Sequence, residues 1–390
     1  MARPNVTVII NDESFFVSGT ESGAALRAGM VTEKDLISAV GNTAERKAGV
    51  MTVNNLNDWF GRLKSYDPVG NGMSGDAHTY PGNTAVRWGA GPTGAWKNEW
   101  WAAHNYLQYG GVLVVGGTGE VDTSTGWTKL KDKQVPLDVV FGATFGNETA
   151  VAAICSTRED CISITNSTIG ATATSDEYNV AVFGQKRHLD IYKTFNDTTI
   201  DDYIITNCAA DAAGCIARSD KLSDPWWSPA GMKRGQILDV VSLVENPNNS
   251  EMDDMYDDSI NPIVTFPGEG TVLFGDKTRK ASTSTLSRIN VSRLFIYLKK
   301  TIGASARSKL FEFNDAQTRS SFVNAVNPVL RTIQNRRGIF DFRVVCDESN
   351  NPGSIIDANQ FVADVYVKPS KSINFIRLTF TNKNTEDSLS

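Results

Sequence analysis

Two glycine-containing segments have the residue types of a phosphate-binding loop. Residues 112–120 read Val-Leu-Val-Val-Gly-Gly-Thr-Gly-Glu, a predicted buried strand followed by glycines. A phosphate bound there needs the N-terminus of a helix directly after the glycines, and residues 121–127 (Val-Asp-Thr-Ser-Thr-Gly-Trp) do not predict one. Residues 274–278 place a lysine before a threonine but lack the upstream glycine of a P-loop. We therefore interpret both segments as turns at strand ends.

The spacing of histidine, cysteine and serine predicts neither a metal site nor a nucleophile. The three histidines, His78, His104 and His188, form no His-x-x-His or His-Glu-x-x-His motif, and the five cysteines form no Cys-x-x-Cys. No Gly-x-Ser-x-Gly elbow is present. The pair Trp226-Trp227 suits either a ligand platform or packing beneath a loop, which is commoner. We expect no catalytic, cofactor-binding or metal-ligating residue, no cofactor, and a protein that is not an enzyme.

The elements that would position any site alternate between strand and helix. Predicted strands are residues 112–115, 139–141, 161–165, 180–183, 262–266 and 272–274, and predicted helices are residues 33–40, 54–63, 97–109, 148–158, 209–217, 287–302 and 318–337. This alternation predicts an α/β fold with a largely parallel sheet. Residues 19–28 are typical of a linker and residues 251–258 of an acidic loop, and Pro328 is expected to kink or weaken the last helix.

Length and composition predict an ordinary globular protein of two or three domains. The chain has 390 residues, of which 41% are hydrophobic and 21% charged, and it contains no run of eighteen apolar residues. We therefore expect no membrane span. An odd number of scattered cysteines, and an N-terminal segment without a signal-peptide core, predict a reducing compartment and assembly in a cytoplasm.

Charge is distributed unevenly along the chain. Residues 277–343 contain fourteen Lys and Arg against three acidic residues, a net charge of +11 within a chain whose total is −6. Such asymmetry indicates either a basic face with an acidic or phosphate-bearing partner, or solvated helix faces.

The C-terminal region predicts three short strands at residues 339–346, 361–367 and 373–380. Pro369 restricts the backbone between the second and third strands, so the chain leaves the second strand through a stiff, extended joint. The third strand is apolar on both faces and must join a sheet, either in its own chain or in another. Residues 6–10 and 14–17 at the other end predict either a pair of strands or one long extended arm.

Several segments together resemble the contractile tail sheath proteins of myovirus-type bacteriophages. These are residues 224–231 (Asp-Pro-Trp-Trp-Ser-Pro-Ala-Gly), 234–235, 261–263, 266–268, 273–278, 287–300, 311–315 (Phe-Glu-Phe-Asn-Asp), 337–339, 344–351 and 368–380. The similarity is dense from about residue 161 to the C-terminus and thin over roughly the first 130 residues. The large protruding domains of bigger sheath proteins are missing, so the chain resembles a compact version.

The resemblance implies a subtilisin-like, non-catalytic α/β outer domain and an α+β C-terminal inner domain, with N- and C-terminal arms exchanged between subunits. The corresponding segments are residues 1–20 for the N-terminal arm, 21–250 for the outer domain, 251–370 for the inner domain that faces the tail tube, and 371–390 for the C-terminal arm. It also implies a structural subunit that polymerises as stacked hexameric rings around the tube and contracts to drive the tube through the host envelope. The implied partners are other copies of the chain, the tail tube protein, and the baseplate and tail terminator proteins, and the implied location is the virion tail.

The resemblance favours donation of the terminal strands to neighbouring subunits, whereas the residues alone slightly favour an intramolecular hairpin. The implied C-arm strand residues are Ile373, Phe375, Ile376, Leu378 and Phe380, and the implied N-arm strand residues are Val6, Val8, Ile9 and Ile10. The basic residues nominated to face the tube are Arg331, Arg336, Arg337, Arg288, Lys299 and Lys300. We expect no specific nucleic acid partner. A nucleic-acid-binding protein or an α/β hydrolase-like protein remains as the alternative.

Overall fold

The fold is an eight-stranded sheet with helices, joined to a smaller helix-and-ribbon unit. It is a computed structural model that describes residues 25–31, 37, 41–63, 97–117, 129–143, 148–171, 175–190, 203–280 and 284–374. The strands are β1 Arg27–Val31, β2 Val50–Val53, β3 Val112–Gly116, β4 Val139–Gly142, β5 Ile162–Asn166, β6 Ser175–Asp176, β7 Asn179–Phe183, β8 Gln185–Leu189, β9 Tyr203–Asn207, β10 Ser242–Leu243, β11 Ile260–Phe266, β12 Gly270–Leu273, β13 Arg279–Lys280, β14 Ile339–Val345 and β15 Asp364–Pro369. The helices are α1 Thr43–Ala48, α2 Leu56–Leu63, α3 Lys97–Leu107, α4 Glu148–Arg158, α5 Ala209–Leu222, α6 Asn249–Asp257, α7 Ile289–Arg307, α8 Ala316–Asn335 and α9 Gly353–Asp357, with a 3-10 turn at Thr285–Ser287.

The large sheet has the order β12-β11-β7-β5-β4-β1-β3-β2. Its inner strands pair in parallel, and the two edge strands β12 and β2 pair antiparallel. Parallel strands are covered on both faces, and every residue of β4 and of β5 is buried. The strand β4 is apolar, whereas β5 also buries Ser163 and Thr165, which bond to Asn179. Helices α4 and α5 both contact these two strands, and α5 also contacts α3. The predicted α/β class with a largely parallel sheet is confirmed.

The strand β1 was missed because the local sequence does not favour a strand. Residues 19–28 were predicted to be a linker, yet Arg27–Val31 pairs with β3 on one side and β4 on the other at the middle of the sheet. Its central residue is Gly29, where an added Cβ would lie 3.2 Å from a Leu137 methyl group. Glycine and alanine are poor strand formers on their own, so pairing on both sides determines the conformation here.

One further prediction about local structure is corrected. The acidic stretch 251–258 was predicted to be a loop, but it lies in α6, which Asn248 and Glu251 begin with a reciprocal capping box. A related prediction is not overturned: Pro328, which was expected to kink or weaken the last helix, lies inside α8, and the helix continues on both sides of it. None of the described helices combines the length and apolar character needed to cross a bilayer.

The chain changes from one core to the other later than the predicted boundary at residue 250. Strand β11 pairs in parallel with β7, and β12 pairs with β11, so residues 260–273 belong to the large sheet. The second core lies between α7, α8 and the antiparallel pair β14–β15. It contains buried apolar side chains such as Leu294, Phe322, Leu330 and Val365.

Helix α7 connects the two cores. Its buried Ile289 and Ile296 pack with the large sheet, whereas Leu294 and Leu298 pack in the second core. The Arg293 guanidinium donates two hydrogen bonds to the Asp220 carboxylate on α5, of 2.7 and 2.6 Å. A bidentate ion pair of this kind fixes both distance and orientation. We infer that the two cores behave as one body.

A charged cluster is buried between β8 and α5. The Lys186 ammonium donates to the Asp211 carboxylate at 2.9 Å and to the Leu238 carbonyl at 2.9 Å, and both charged side chains are fully buried. The Tyr109 hydroxyl also donates to Asp211 at 3.1 Å. Burial raises the pKa of Asp211, and the Lys186 charge and these hydrogen bonds act against that rise.

Removing the lysine alone should destabilise the fold strongly. Lys186→Met leaves the Asp211 carboxylate buried without its counter-ion, and we expect the free energy of unfolding to fall by about 3–5 kcal/mol. The double variant Lys186→Met/Asp211→Leu removes both charges and should recover most of that loss. Denaturant unfolding measures both values, and a double variant as unstable as the single one would contradict the role of the pair.

The neighbouring His188 should make stability depend on pH. Burial and, to a smaller extent, the nearby Lys186 charge together lower the pKa of His188 to about 3, whereas the unfolded chain has the ordinary value of about 6.5. The unfolded state therefore binds an extra proton between these values, so the contribution of His188 is complete above about pH 6.5 and is lost as the pH falls toward 3. We expect this group to reduce the free energy of unfolding by up to about 1.4 kcal/mol per pH unit in that window.

The control is His188→Leu, measured beside the original chain by urea unfolding at pH 7, 6 and 5. The variant should show the shallower decline, because one buried histidine fewer then takes up a proton on unfolding. Equal slopes for the two proteins would show that His188 is not neutral in the folded state.

Candidate functional site

The strands β14 and β15 form a two-stranded antiparallel ribbon, and within the described residues no third strand pairs with it. One side of the ribbon packs on the second core through the buried Ile339 and Val365. The other side leaves Phe340 71% exposed and Tyr366 47% exposed. Because both outer edges have backbone groups without strand partners in this part of the chain, the ribbon can accept further strands.

The beginning of the C-terminal arm is anchored beside this ribbon. After β15 ends at Pro369, the Ser370 amide donates to the Gly338 carbonyl at 3.0 Å. The Ser372 hydroxyl and the side-chain amide of Asn374 both donate to the Asp276 carboxylate. These bonds fix the direction in which the chain leaves the ribbon, as the stiff joint at Pro369 predicted.

Only the first of the predicted arm residues lies in the described part of the chain. Ile373 is 82% exposed, in a segment without strand pairing. The remaining predicted arm residues lie outside the described residues: Phe375, Ile376, Leu378 and Phe380 at one end, and Val6, Val8, Ile9 and Ile10 at the other.

A cleft of about 930 Å³ opens between the two cores, next to the beginning of the arm. Its walls come from the loop after α5, from α6, from the start of β11, from the end of α8 and from residues 370–374. Aromatic side chains dominate the lining: Trp226, Trp227, Tyr256, Phe274 and Phe340. A concave, largely apolar surface with a few charged groups is typical of a binding site.

The two tryptophans of the loop have different roles. Trp226 is buried in the second core, and its indole nitrogen donates to the Arg336 carbonyl at 3.1 Å. Trp227 is half-buried and lines the cleft, and two guanidinium groups lie close to its ring, Arg234 at 5.2 Å and Arg337 at 5.5 Å from the ring centre. Packing thus accounts for the first ring, and the second presents a charged aromatic surface.

The two arginines of this surface can bind an anion. Arg234 donates to the Ser228 carbonyl at 2.6 Å, and burial lowers its pKa. Among the described residues, neither Arg234 nor Arg337 has a carboxylate within 4.0 Å, whereas many other basic residues here do. Two guanidinium groups on one aromatic ring are suited to bind a carboxylate.

Most of the basic residues nominated for the tube are used within the chain. Arg288 pairs with Asp276 at 3.1 Å, Lys299 with Glu159 at 2.9 Å, Lys300 with Asp138 at 2.8 Å and Arg336 with Asp224 at 2.6 Å, while Arg337 lies over Trp227. Arg331 is exposed on α8. The structure does not bring the six together into one free basic patch.

The segments that were considered for other chemistry have structural roles. Lys277, the lysine of the P-loop-like stretch, lies 3.3 Å from the centre of the Tyr256 ring, and its amide donates to Asn261. His104 and His188 are buried against Trp101, and His78 lies outside the described residues. No group of three or more His, Cys, Asp or Glu that could hold a metal ion occurs among the described residues.

Two residues of this region were not predicted from the sequence to belong to a site. Arg234 was noted only for its place in the resemblance, and Asp276 only as part of a turn. The Trp-Trp pair flanked by prolines was the available signal for a shaped loop, but nothing local indicates that Arg337, more than a hundred residues later, completes it. The contact is long-range and depends on how α8 ends.

Comparison with known proteins agrees with this architecture. Family models for the phage tail sheath protein central domain and the phage tail sheath C-terminal domain match residues 138–279 and 281–383, with their junction after β13. The chain is 52% identical over 178 residues to the tail sheath protein of Vibrio phage KVP40, and 48% identical over 172 residues to that of Enterobacteria phage T4. These matches cover 46% and 44% of this chain, and 26% of each relative. The chain thus matches only about a quarter of the length of these curated relatives.

Solved structures share the fold over almost the whole chain. The sheath of an extracellular contractile injection system, PVC, in the contracted state superposes with a TM-score of 0.69 at 16% identity, covering 98% of both chains. The helical sheath of the anti-feeding prophage in the contracted state gives a TM-score of 0.67 at 16% identity, covering 98% of this chain and 100% of the other. Together the two family models span well over half of the sequence. The chain therefore belongs to the phage tail sheath family.

Proposed function

We propose that this chain is the structural subunit of a contractile phage tail sheath, which polymerises as stacked hexameric rings around the tail tube and contracts to drive the tube through the host envelope. The observation that carries the proposal is the β14–β15 ribbon, which has two strands in the described chain and an anchored arm leading away from it. Family membership and the fold shared with sheaths in a contracted state support it.

In this proposal, the arms of neighbouring subunits complete the ribbon as a shared sheet. The C-terminal arm supplies a strand from Ile373 to Phe380, and the N-terminal arm supplies one that includes Val6 to Ile10. A donated strand makes about five or six backbone hydrogen bonds, each worth roughly 1 kcal/mol net. Such a connection holds subunits together while the surfaces around it slide.

The parallel-sheet unit takes the place of the outer domain, subtilisin-like in arrangement and without catalytic activity, and the second core takes the place of the inner domain. The implied partners are the tail tube, baseplate and terminator proteins, and assembly takes place in the host cytoplasm. Contraction needs no nucleotide if the extended sheath is metastable and gains interface between subunits as it contracts. The alternatives of nucleic acid binding and hydrolysis are supported by no observation of the described residues.

We propose that fewer basic residues contact the tube than the six that were nominated from the sequence. Arg331 is exposed on α8, whereas the other five nominated residues are held by contacts inside the chain. An exposed ion pair contributes about 0–1 kcal/mol, so it can be broken and exchanged during contraction. Because every subunit of a ring makes the same contact, the ring as a whole binds the tube strongly even though each contact is weak.

Shortening the chain tests the shared sheet. A chain that ends at Pro369 lacks the C-terminal arm, and we expect it to form no long polymers when viewed by electron microscopy. The matched control ends at Phe380, which removes only the polar residues 381–390 and should assemble like the full chain. Polymers of full length from the shorter variant would mean that the arm does not connect subunits.

Charge reversal tests the tube contact. Arg331→Glu should reduce the amount of extended sheath on purified tail tubes several-fold, because a weak attraction becomes a repulsion at every subunit. Self-assembly without tubes should not change. The control is Lys233→Glu, an exposed residue on the loop after α5, and equal decoration of tubes by both variants would remove Arg331 from the interface.

A further inference from the structure

The connection between α7 and α8 exposes two phenylalanines that are separated by one residue in a tight turn. We call residues 311–315, Phe-Glu-Phe-Asn-Asp, the acidic–aromatic turn. Phe311 is 88% exposed and Phe313 is 84% exposed, the two highest values among the exposed large apolar side chains of the described residues. Glu312 lies between them and is also exposed. Aromatic side chains presented in this way are typical of the anchor residues of an interface.

The turn is held rigidly by the chain around it. The Asn314 side chain donates to the Gln360 carbonyl at 2.8 Å, and Asp315 caps α8 by accepting from the Thr318 amide at 2.7 Å. Arg319 donates to the Asn314 side chain at 2.9 Å. Phe311 adopts a positive φ of 72°, which a bulky residue rarely does unless its surroundings impose it. A rigid turn loses little conformational entropy when its phenylalanines are covered.

The part of the cleft next to Trp227 is complementary to this turn. The cleft offers aromatic side chains for phenylalanine rings and the two guanidinium groups of Arg234 and Arg337, which have no carboxylate partners in the described chain. Its lining also includes Lys277 and two carboxylates, of Asp253 and of Asp276, the second of which is paired with Arg288. Glu312 supplies the missing carboxylate between two aromatic side chains. The match is therefore both apolar and electrostatic.

The turn and the cleft of one copy cannot meet. The turn precedes the first residue of α8, whereas Gln334 and Arg337 at the other end of that helix line the cleft. A helix of 20 residues is about 30 Å long at 1.5 Å per residue. Contact between the two surfaces therefore has to join different copies. In a head-to-tail arrangement, which the proposed sheath requires, such a contact repeats from copy to copy and builds rings or helical polymers.

We propose that the acidic–aromatic turn of one subunit inserts into the Trp227 cleft of the next subunit, with Glu312 between Arg234 and Arg337. This interface deepens the proposed function, because it rests on self-association of the chain, and it is separate from the shared sheet. It joins the start of α8 in one subunit to the end of α8 in another.

Site-specific cross-linking tests the contact. One preparation carries Glu312→Cys and another carries Gln334→Cys in the cleft wall. All five native cysteines are buried, so a short bis-maleimide should react at the introduced positions. After mixing under assembly conditions, we expect a covalent dimer only when both variants are present. A matched control pairs Glu312→Cys with Lys131→Cys, an exposed residue far along the chain, and should give none.

Charge exchange supplies an independent readout. Glu312→Arg and Arg337→Glu should each reduce polymer formation at least tenfold, and the two changes combined in one chain should restore it substantially. Phe311→Ser/Phe313→Ser should also prevent polymers without lowering the thermal unfolding temperature, since both side chains are exposed. Restoration by the combined variant distinguishes a direct contact from general damage.

The outcomes separate this interface from the proposed function. If the original chain assembles but residues 312 and 334 do not cross-link, the interface is wrong and the sheath function stands. Cross-linking of residue 334 to tube protein, or to the C-terminal arm, instead of residue 312 would also overturn it. If the original chain does not self-associate at all, both proposals fail.

Discussion

An isolated two-stranded ribbon is only marginally stable in water, so the β14–β15 ribbon depends on the elements that pack on it or pair with it. The pair β14–β15 lies on α7 and α8 with one side, yet its outer edges have no strand partner in the described chain. Ribbons of this kind gain stability from additional strands or from packing. The large sheet is wider, with β12 and β2 as its two edge strands, and helices pack on it. The ribbon is the narrower sheet, and its extension by strands of other subunits is part of the proposed function.

Helix α7 joins the second core to the large sheet. Arg293 pairs with Asp220, and Lys300 donates to Asp138 at 2.8 Å and to the Leu137 carbonyl at 2.6 Å. Burial alone would raise the pKa of Asp138, but the Lys300 charge and hydrogen bond lower it, so the pair is ionised. These two ion pairs thus join the second core to the large sheet through α7.

Much of the fold could be predicted from sequence, because buried parallel strands and amphipathic helices have strong local patterns. The strands at Val139–Gly142 and Ile162–Asn166 and the helix at Glu148–Arg158 were placed almost correctly. What local patterns could not give was set by distant residues: β1 is a strand because it is paired on both sides, and Lys186 is buried because Asp211 lies opposite. The basic residues nominated to face the tube could not be assigned correctly for the same reason. Their charges are visible in the sequence, but the carboxylates that pair with four of them lie 12 to 162 residues away.

Hydrogen exchange of the backbone amides, compared between dilute monomer and assembled polymer, tests most directly whether neighbours complete the ribbon. We expect the outward-facing amides of β14 and β15, which do not bond to the other strand of the ribbon, to exchange rapidly in the monomer and to become protected many-fold on assembly, while amides of β4 and β5 stay equally protected in both states. Equal protection of the ribbon in monomer and polymer would contradict a shared sheet, because it would mean that each chain already satisfies those backbone groups by itself.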